Sequence, residues 1–405
     1  MIGPMRPNPR LSGSLSRRDF LVRSSAAALA PAVPFLSPSP SPAPRPPSRK
    51  PVRIGIVGGG FGAAFQWHLH PLCQVAAVSD LREDRRAILR QTYGCDVVYP
   101  SLAELVKDES LDAVAVFTEA TNHADHVVHC MEAGKHVVSA VPVAHTLEGC
   151  RAVVAAQKRT GRTYMMAETS WYRPETILAR ELHRDGAFGR LVYSESEYYH
   201  PNICHDADGL SHWNGQRTWR YGYPPLLYPT HSTAFLVGVT GERLVRVSAL
   251  GWGSGDDALA DNAYRNPFWN GAALFRTSGG FVHRCNVFWH VTADGERAQW
   301  FGEKCALYMA GSGGQPFRRV AADGSVDESL PDYRSRLPEP LRVGGGHGGS
   351  HPHLTHEFVS ALAEARLPAV GLRESLALTV SGIVAHASAL DGGRQLDVPD
   401  LAAGG

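Results

Sequence analysis

The sequence predicts an α/β chain in two parts: a doubly wound parallel sheet, then an α+β domain with a largely antiparallel sheet. Three observations carry the prediction. An apolar, β-branched run drives straight into a glycine cluster, so that residues 53–63 read Arg-Ile-Gly-Ile-Val-Gly-Gly-Gly-Phe-Gly-Ala. From residue 52 to 168 short continuous apolar runs alternate with helix-like stretches, the pattern of parallel strands covered on both faces. After about residue 168 the runs alternate in polarity and are joined by turns such as Ala293-Asp294-Gly295 and Ala322-Asp323-Gly324.

In the first part, a strand at 52–57 is followed by a helix-like segment at 63–68 and a second strand at 75–79. A helix is expected over 82–93, a short strand over 96–99, and a helix over 101–107 with Ser101 as its N-cap. Strands at 113–117, 136–139 and 163–167 follow, separated by helices at 124–133 and 146–160. The second part opens with a helix at 174–185 and an alternating, tyrosine-rich strand at 191–199. Further strands fall at 244–250, 272–277, 280–290 and 299–309, and helices at 354–365 and 374–389 close the chain.

Composition narrows the partners. Forty basic against 39 acidic residues leave almost no net charge, which argues against a nucleic-acid or polyanion partner. The seven cysteines are odd in number and scattered, with no C-x-x-C pair, so neither a disulfide framework nor a cysteine-based zinc site is expected. Beyond the N-terminus no apolar run is long enough to span a membrane. The N-terminus itself reads as an address: Ser16-Arg17-Arg18-Asp19-Phe20-Leu21 is a twin-arginine signature, followed by the Ala-rich stretch 26–36 and a Pro/Ser-rich tract at 37–51. The expected organisation is signal and linker at 1–51, a nucleotide-binding domain at 52–168 and a substrate domain at 169–405. Export by the twin-arginine route to the periplasm or exterior is expected.

The glycine cluster carries chemistry. Gly58, Gly60 and Ala63 fit G-x-G-x-x-G/A, with Phe61 and Gly62 inside the turn. The first glycine permits the tight turn, the second lets backbone approach a pyrophosphate, and a following helix would turn its N-terminus to the phosphates. Asp80 ends the second strand, 22 residues after Gly58, where an acidic residue takes the adenosine ribose hydroxyls. A carboxylate there repels a 2′-phosphate, so the expected cofactor is NAD. The turn Thr118-Glu-Ala-Thr-Asn-His123 lies just past a strand's carboxyl end, in the crevice where such sheets bind ligands, which makes Thr118, Asn122 and His123 candidates for the nicotinamide half.

The glycine turn, Asp80, the 118–123 turn and the strand running into Ala140-Val141-Pro142 together resemble the Gfo/Idh/MocA oxidoreductase family, from about residue 52 to Leu396-Asp-Val-Pro399. The resemblance implies a Rossmann domain, an antiparallel C-terminal sheet and a sugar-active NAD(P) enzyme. Most members carry Glu-Lys-Pro where this chain has Ala140-Val141-Pro142, so the lysine that orients the hydroxyl is missing. Val141–Cys150 (VPVAHTLEGC), Tyr164–Tyr172 (YMMAETSWY), Tyr228-Pro229-Thr230-His231 and Gly345-Gly-His-Gly-Gly349 resemble the branch of NAD-dependent α-N-acetylgalactosaminidases. Ala140 and Thr169 depart from that branch, which has Glu and Asn there. By resemblance, Ala140, Val141 and Thr169 join the cofactor site and Pro229, Thr230 and His347 the substrate site.

The residues agree in kind. Oxidising a secondary alcohol needs a base, and without a lysine a histidine near neutrality serves; His231, beside Tyr228 at the start of an apolar helical run, is the candidate. Tyr172 is a candidate acid/base group, and Tyr198 and Arg220 are candidates to bind sugar hydroxyls beside Trp219. The stretch from His200 to His212 is rich in His and Asp, but its spacing matches no zinc or calcium pattern, and a polar substrate loop is expected instead of a metal. The expected activity is a redox-neutral glycoside hydrolysis with NAD tightly bound and recycled; a net sugar oxidoreductase is the alternative. The antiparallel sheet would suit self-association.

Overall fold

The computed structural model describes residues 50–403 apart from 202, 205–209, 254–256 and 312. The twin-arginine segment and most of the linker, and His205, Asp206 and Asp208 of the His/Asp-rich stretch, lie outside the described residues.

The first sheet has six parallel strands: β1 (Val52–Val57), β2 (Cys73–Ser79), β3 (Val98–Tyr99), β4 (Ala113–Val116), β5 (His136–Ser139) and β6 (Tyr164–Met166). Their order is β3-β2-β1-β4-β5-β6. The order reverses between β1 and β4, which opens the crevice where doubly wound sheets take a dinucleotide. Continuous burial of β4 and nearly all of β1 explains why these runs lack alternation. Helices α1 (Glu83–Tyr93), α2 (Leu102–Leu105), α3 (His123–Glu132) and α4 (Leu147–Thr160) cover the faces. Ser101 caps α2 through Glu104 N–H, and Thr146 caps α4 through Gly149 N–H.

The helix expected at 63–68 is not there. Two short 3₁₀ turns, Phe61–Ala64 and Trp67–Leu69, replace it. Packing is the reason. Phe65 and Trp67 are both fully buried, and residues two apart on an α-helix point away from each other. The looser backbone turns both inward, where Phe65 stacks on His351 and Trp67 meets Phe358 edge-on.

The second part contains α5 (Pro174–Arg184), β7 (Leu191–Tyr199), a small hairpin of β8 (His212–Trp213) and β9 (Gln216–Arg217), α6 (Thr230–Thr240), β10 (Leu244–Trp252) and α7 (Asp257–Ala260). It continues with β11 (Asn270–Thr277), β12 (Val282–Phe288), β13 (Gly295–Gly302), β14 (Cys305–Tyr308), β15 (Arg318–Ala321), β16 (Val326–Asp327), α8 (Gly346–Ala363), α9 (Leu372–Leu390) and β17 (Leu396–Asp397). Nine strands form one sheet in the order β16-β15-β14-β13-β7-β12-β11-β10-β17, antiparallel except for the β7–β12 pair. The single strand expected at 299–309 is a hairpin, β13 and β14, turning at Glu303-Lys304. Gly302 makes that turn possible, since a Cβ there would lie 2.2 Å from the Phe188 carbonyl oxygen.

Helix α6 is buried on every side, which explains the unbroken apolar run Ala234–Val239 along it. It is held against the sheet by Trp300 Nε1–H to the Phe235 carbonyl (2.8 Å) and Ser196 Oγ–H to the Ser232 carbonyl (2.8 Å). The two parts are tied together by Met166 N–H to the Val370 carbonyl (3.0 Å) and Val143 N–H to Thr379 Oγ1 (3.3 Å). That junction brings the N-terminus of α6 and the start of α8 to the carboxyl edge of the parallel sheet.

Candidate active site

The glycine turn forms a tight cradle. Gly58 has φ +102°, and a Cβ there would lie 2.2 Å from the Phe117 carbonyl oxygen; at Gly59 it would lie 2.4 Å from the Arg85 carbonyl oxygen. Only glycine fits both positions. Asp80, 8% exposed, ends β2 beneath this turn, with Oδ2 accepting from Gly59 N–H (2.7 Å) and Oδ1 from Arg82 N–H (2.9 Å). Each oxygen retains acceptor capacity for a ribose hydroxyl. Backbone N–H donors at the turn and an accepting carboxylate at the end of β2 are what the pyrophosphate and ribose of an adenine dinucleotide need, so the residues fit NAD.

Opposite the turn, β6 runs into Glu168, whose carboxylate is fully buried. Its Oε1 accepts from His231 Nδ1–H (2.8 Å) and from Ser170 N–H (2.9 Å). Thr169 Oγ1 lies 3.3 Å from the same His231 nitrogen. Burial works against charge on both groups, yet the pair overcomes it. Glu168 is held below the ordinary carboxylate range by His231, and His231 is raised above its ordinary value chiefly by Glu168. Because Nδ1 donates to the carboxylate, neutral His231 presents a lone pair on Nε2, the state a general base requires.

The non-helical first residues of α8 lie beside the His231–Glu168 pair. His347 has φ +51°, and Gly348 and Gly349 follow with positive φ, so the regular helix starts after them. The His347 ring lies nearly parallel to His231, with centroids 6.1 Å apart, and edge-on to Phe61 of the glycine turn at 5.6 Å. His347 Nδ1 is 3.0 Å from His351 Nε2, and His351 Nδ1 is 3.0 Å from the Ala64 carbonyl. A carbonyl only accepts, so His351 donates from Nδ1 and accepts from His347 Nδ1–H. Burial, with His231, His351 and Arg173 nearby, pushes the His347 pKa down to about 3. His347 is therefore neutral and presents its Nε2 lone pair.

Aromatic side chains wall the other side. Tyr198 lies 4.6 Å and Tyr228 5.4 Å from the His231 ring, and both meet Trp289 at about 6 Å. Burial raises both phenols, so they remain protonated donors. Arg220 stacks over Trp219 at 4.3 Å and faces Tyr228 at 5.8 Å. Pro229 is the N-cap of α6, and Thr230 is buried beside it with its hydroxyl toward the Glu168 carboxylate.

Other candidates are placed differently. Tyr172 turns away from His231, stacking on His353 at 5.7 Å with Arg180 behind it at 5.9 Å; the structure does not bring it to the dyad. His123 is a brace, its ring spanning the Pro142 carbonyl (2.7 Å) and the Thr118 carbonyl (3.1 Å), with burial pushing its pKa down to about 4. Thr118 Oγ1 is engaged with His126 Nδ1 at 2.8 Å, and Asn122 is exposed and points to Glu119. Ala140 and Val141 are buried just before the Val141–Pro142 peptide, which is cis.

Sequence reasoning missed four residues here. Glu168 was legible as a carboxylate directly after the apolar run Tyr164–Ala167 at the same sheet edge. His351 follows His347 at helical spacing, although its role depends on the Ala64 carbonyl. Arg173 and Glu296 form a partly buried ion pair that Ser170 joins, and a Cβ at Gly348 would lie 2.6 Å from Arg173 Nη1. No local signal links positions 123 residues apart.

Residues 52–168 match the Gfo/Idh/MocA profile, described as an oxidoreductase family with an NAD-binding Rossmann fold. A glycosyl hydrolase family 109 protein of Solibacter usitatus is 26% identical, across 96% of this chain and 97% of that protein. The α-N-acetylgalactosaminidase of Shewanella oneidensis is 31% identical over 195 residues, 44% of this chain and 42% of that protein. Among solved structures, a levoglucosan dehydrogenase in complex with NADH and L-sorbose superposes with a TM-score of 0.72 at 19% identity, covering 87% of this chain and 100% of that one. An Agrobacterium radiobacter oxidoreductase in complex with NAD⁺, L-tartaric acid and magnesium gives a TM-score of 0.67 at 14% identity, covering 86% of this chain and 98% of that one. Residues 52–168 are thus an NAD-binding Rossmann domain of the Gfo/Idh/MocA oxidoreductase family, in a chain similar along nearly its whole length to a glycosyl hydrolase family 109 protein.

Proposed function

We propose that this protein is an NAD-dependent glycoside hydrolase whose net reaction is redox-neutral. The observation that carries the reading is the buried His231–Glu168 pair, walled by Tyr198 and Tyr228 and reached from Phe61 of the glycine turn through the His347 ring. The similarity to glycosyl hydrolase family 109 proteins and the absence of the lysine of ordinary family dehydrogenases point the same way.

Bound NAD would supply a hydride acceptor at the start of the cycle and a hydride donor at its end. The chain supplies position and protons. His231 Nε2 takes the proton of the sugar C3 hydroxyl as hydride leaves C3, and Glu168 stabilises the imidazolium. Tyr198 and Tyr228 hold neighbouring hydroxyls as donors. The transient ketone acidifies the C2 proton, which His347 Nε2 receives; negative charge developing beside His347 raises its proton affinity in that step. The C1–aglycone bond then breaks by elimination, the departing oxygen taking that proton from His347; water adds its hydroxyl to C1 as His347 takes its proton and delivers it to C2, and His231 returns its own proton as the ketone is reduced.

Each turnover restores the cofactor, so tight retention belongs to the same reading. The twin-arginine signature supports export, and a self-regenerating cofactor suits a compartment without a soluble NADH pool. The test is purified protein without added NAD on nitrophenyl glycosides, with aglycone release and nicotinamide absorbance followed together.

A further inference from the structure

Three arginines stand within the first turn of α1 and its entry, and they are not equivalent. Arg82 is committed: its guanidinium chelates Asp84 (3.1 and 2.5 Å) and its face is covered by Trp213 of the β8–β9 hairpin at 4.3 Å. Arg86 is committed too, with Nη1 donating to the Asp80 and Leu81 carbonyls at 2.8 and 3.1 Å. Arg85 makes no side-chain hydrogen bond or ion pair among the described residues. Instead, its guanidinium lies along the glycine turn, where a Cβ at Gly60 would fall 3.5 Å from both Cζ and Nη1.

Gly60 is the position at which backbone approaches the pyrophosphate in such turns. In the usual arrangement a long α-helix starts there and offers its positive end to the phosphates. Here the segment is a four-residue 3₁₀ turn followed by extended backbone at Phe65, so that helix contribution is lost. A dinucleotide brings two negative charges to a turn that lacks it.

We propose that Arg85 binds the cofactor pyrophosphate and replaces the missing helix end. The assignment rests on the dinucleotide reading of the glycine turn. A guanidinium is suited to the role, since its planar fork matches two phosphate oxygens. Two features keep it available: the neighbouring arginines occupy Asp84 and the strand-end carbonyls, and Asp80 spends an oxygen on each of Gly59 and Arg82.

The experiment is calorimetric titration of the nucleotide-free full chain with ADP-ribose and with adenosine, for the unaltered protein, Arg85→Gln and Arg85→Lys. The assignment predicts that Arg85→Gln weakens ADP-ribose about tenfold while adenosine affinity stays within twofold, that Arg85→Lys recovers part of the loss, and that the salt dependence of ADP-ribose binding becomes shallower. Thermal melting of the three proteins checks that each is folded. Unchanged ADP-ribose affinity in Arg85→Gln, or an equal loss for adenosine, overturns the assignment while leaving the dinucleotide site standing. Failure of the unaltered chain to bind ADP-ribose overturns both.

Discussion

Nδ1 of His231 lies 2.8 Å from Oε1 of Glu168, and both side chains are buried. The carboxylate fixes the imidazole tautomer and holds its pKa above the ordinary value against the pull of burial. The base works only when neutral, so activity should fall as pH drops through that raised pKa. Glu168→Gln keeps the shape but cannot stabilise an imidazolium. The acid limb of the pH–rate profile should therefore move to lower pH, with a lower plateau rate. An unmoved limb would separate Glu168 from the base.

The arrangement ranks the tyrosines and histidines. His231→Ala should lower kcat about a hundred- to ten-thousandfold, the usual contribution of a positioned base. Tyr198→Phe, at 4.6 Å from His231, should cost about tenfold through a lost substrate hydrogen bond. Tyr172→Phe should stay within about threefold of the unaltered enzyme, because Tyr172 packs on His353 away from the dyad. Steady-state kinetics on one glycoside compares all three, and a large loss at Tyr172 would contradict the placement.

Gly58→Ala tests the cradle. Its φ of +102° is strained for alanine, roughly 1–3 kcal/mol, and the new Cβ would meet the Phe117 carbonyl oxygen at 2.2 Å. The melting temperature should fall and retained NAD, measured by absorbance after denaturation, should drop to background. Normal NAD content would show that the turn is not the cofactor site.

Export is testable through the signature itself. Replacing both arginines (Arg17→Lys with Arg18→Lys) should hold the protein in the cytoplasm, as read by cell fractionation. Unchanged export of the double variant would exclude the twin-arginine route.

Most strands could be read from the sequence because buried parallel strands are short apolar runs between turn residues, and 136–139 and 191–199 match the observed bounds of β5 and β7. The segment after the glycine turn could not. Its residues are compatible with a helix, but burying both Phe65 and Trp67 against α8 requires another backbone, and α8 lies nearly three hundred residues away in sequence. The strand expected at 299–309 was misread because apolar residues continue across Glu303-Lys304, while the need for a turn comes from the close approach of Phe188 to Gly302. His231, Tyr228 and Tyr198 were legible as a set and do converge. His123 and Tyr172 were legible as polar residues at the right edge, but which way each side chain turns is decided by partners on other elements, Pro142 for one and His353 for the other.

In the proposed cycle the sugar is oxidised and reduced again within one turnover. The most direct test supplies the purified protein, without added cofactor, with a panel of nitrophenyl glycosides while absorbance is recorded for both aglycone and NADH. Redox-neutral turnover predicts sustained aglycone release over many cycles with no net NADH, abolished in His231→Ala. Reduction of the cofactor that halts after one turnover and resumes only when a keto-sugar is added would contradict it and make the protein a net oxidoreductase.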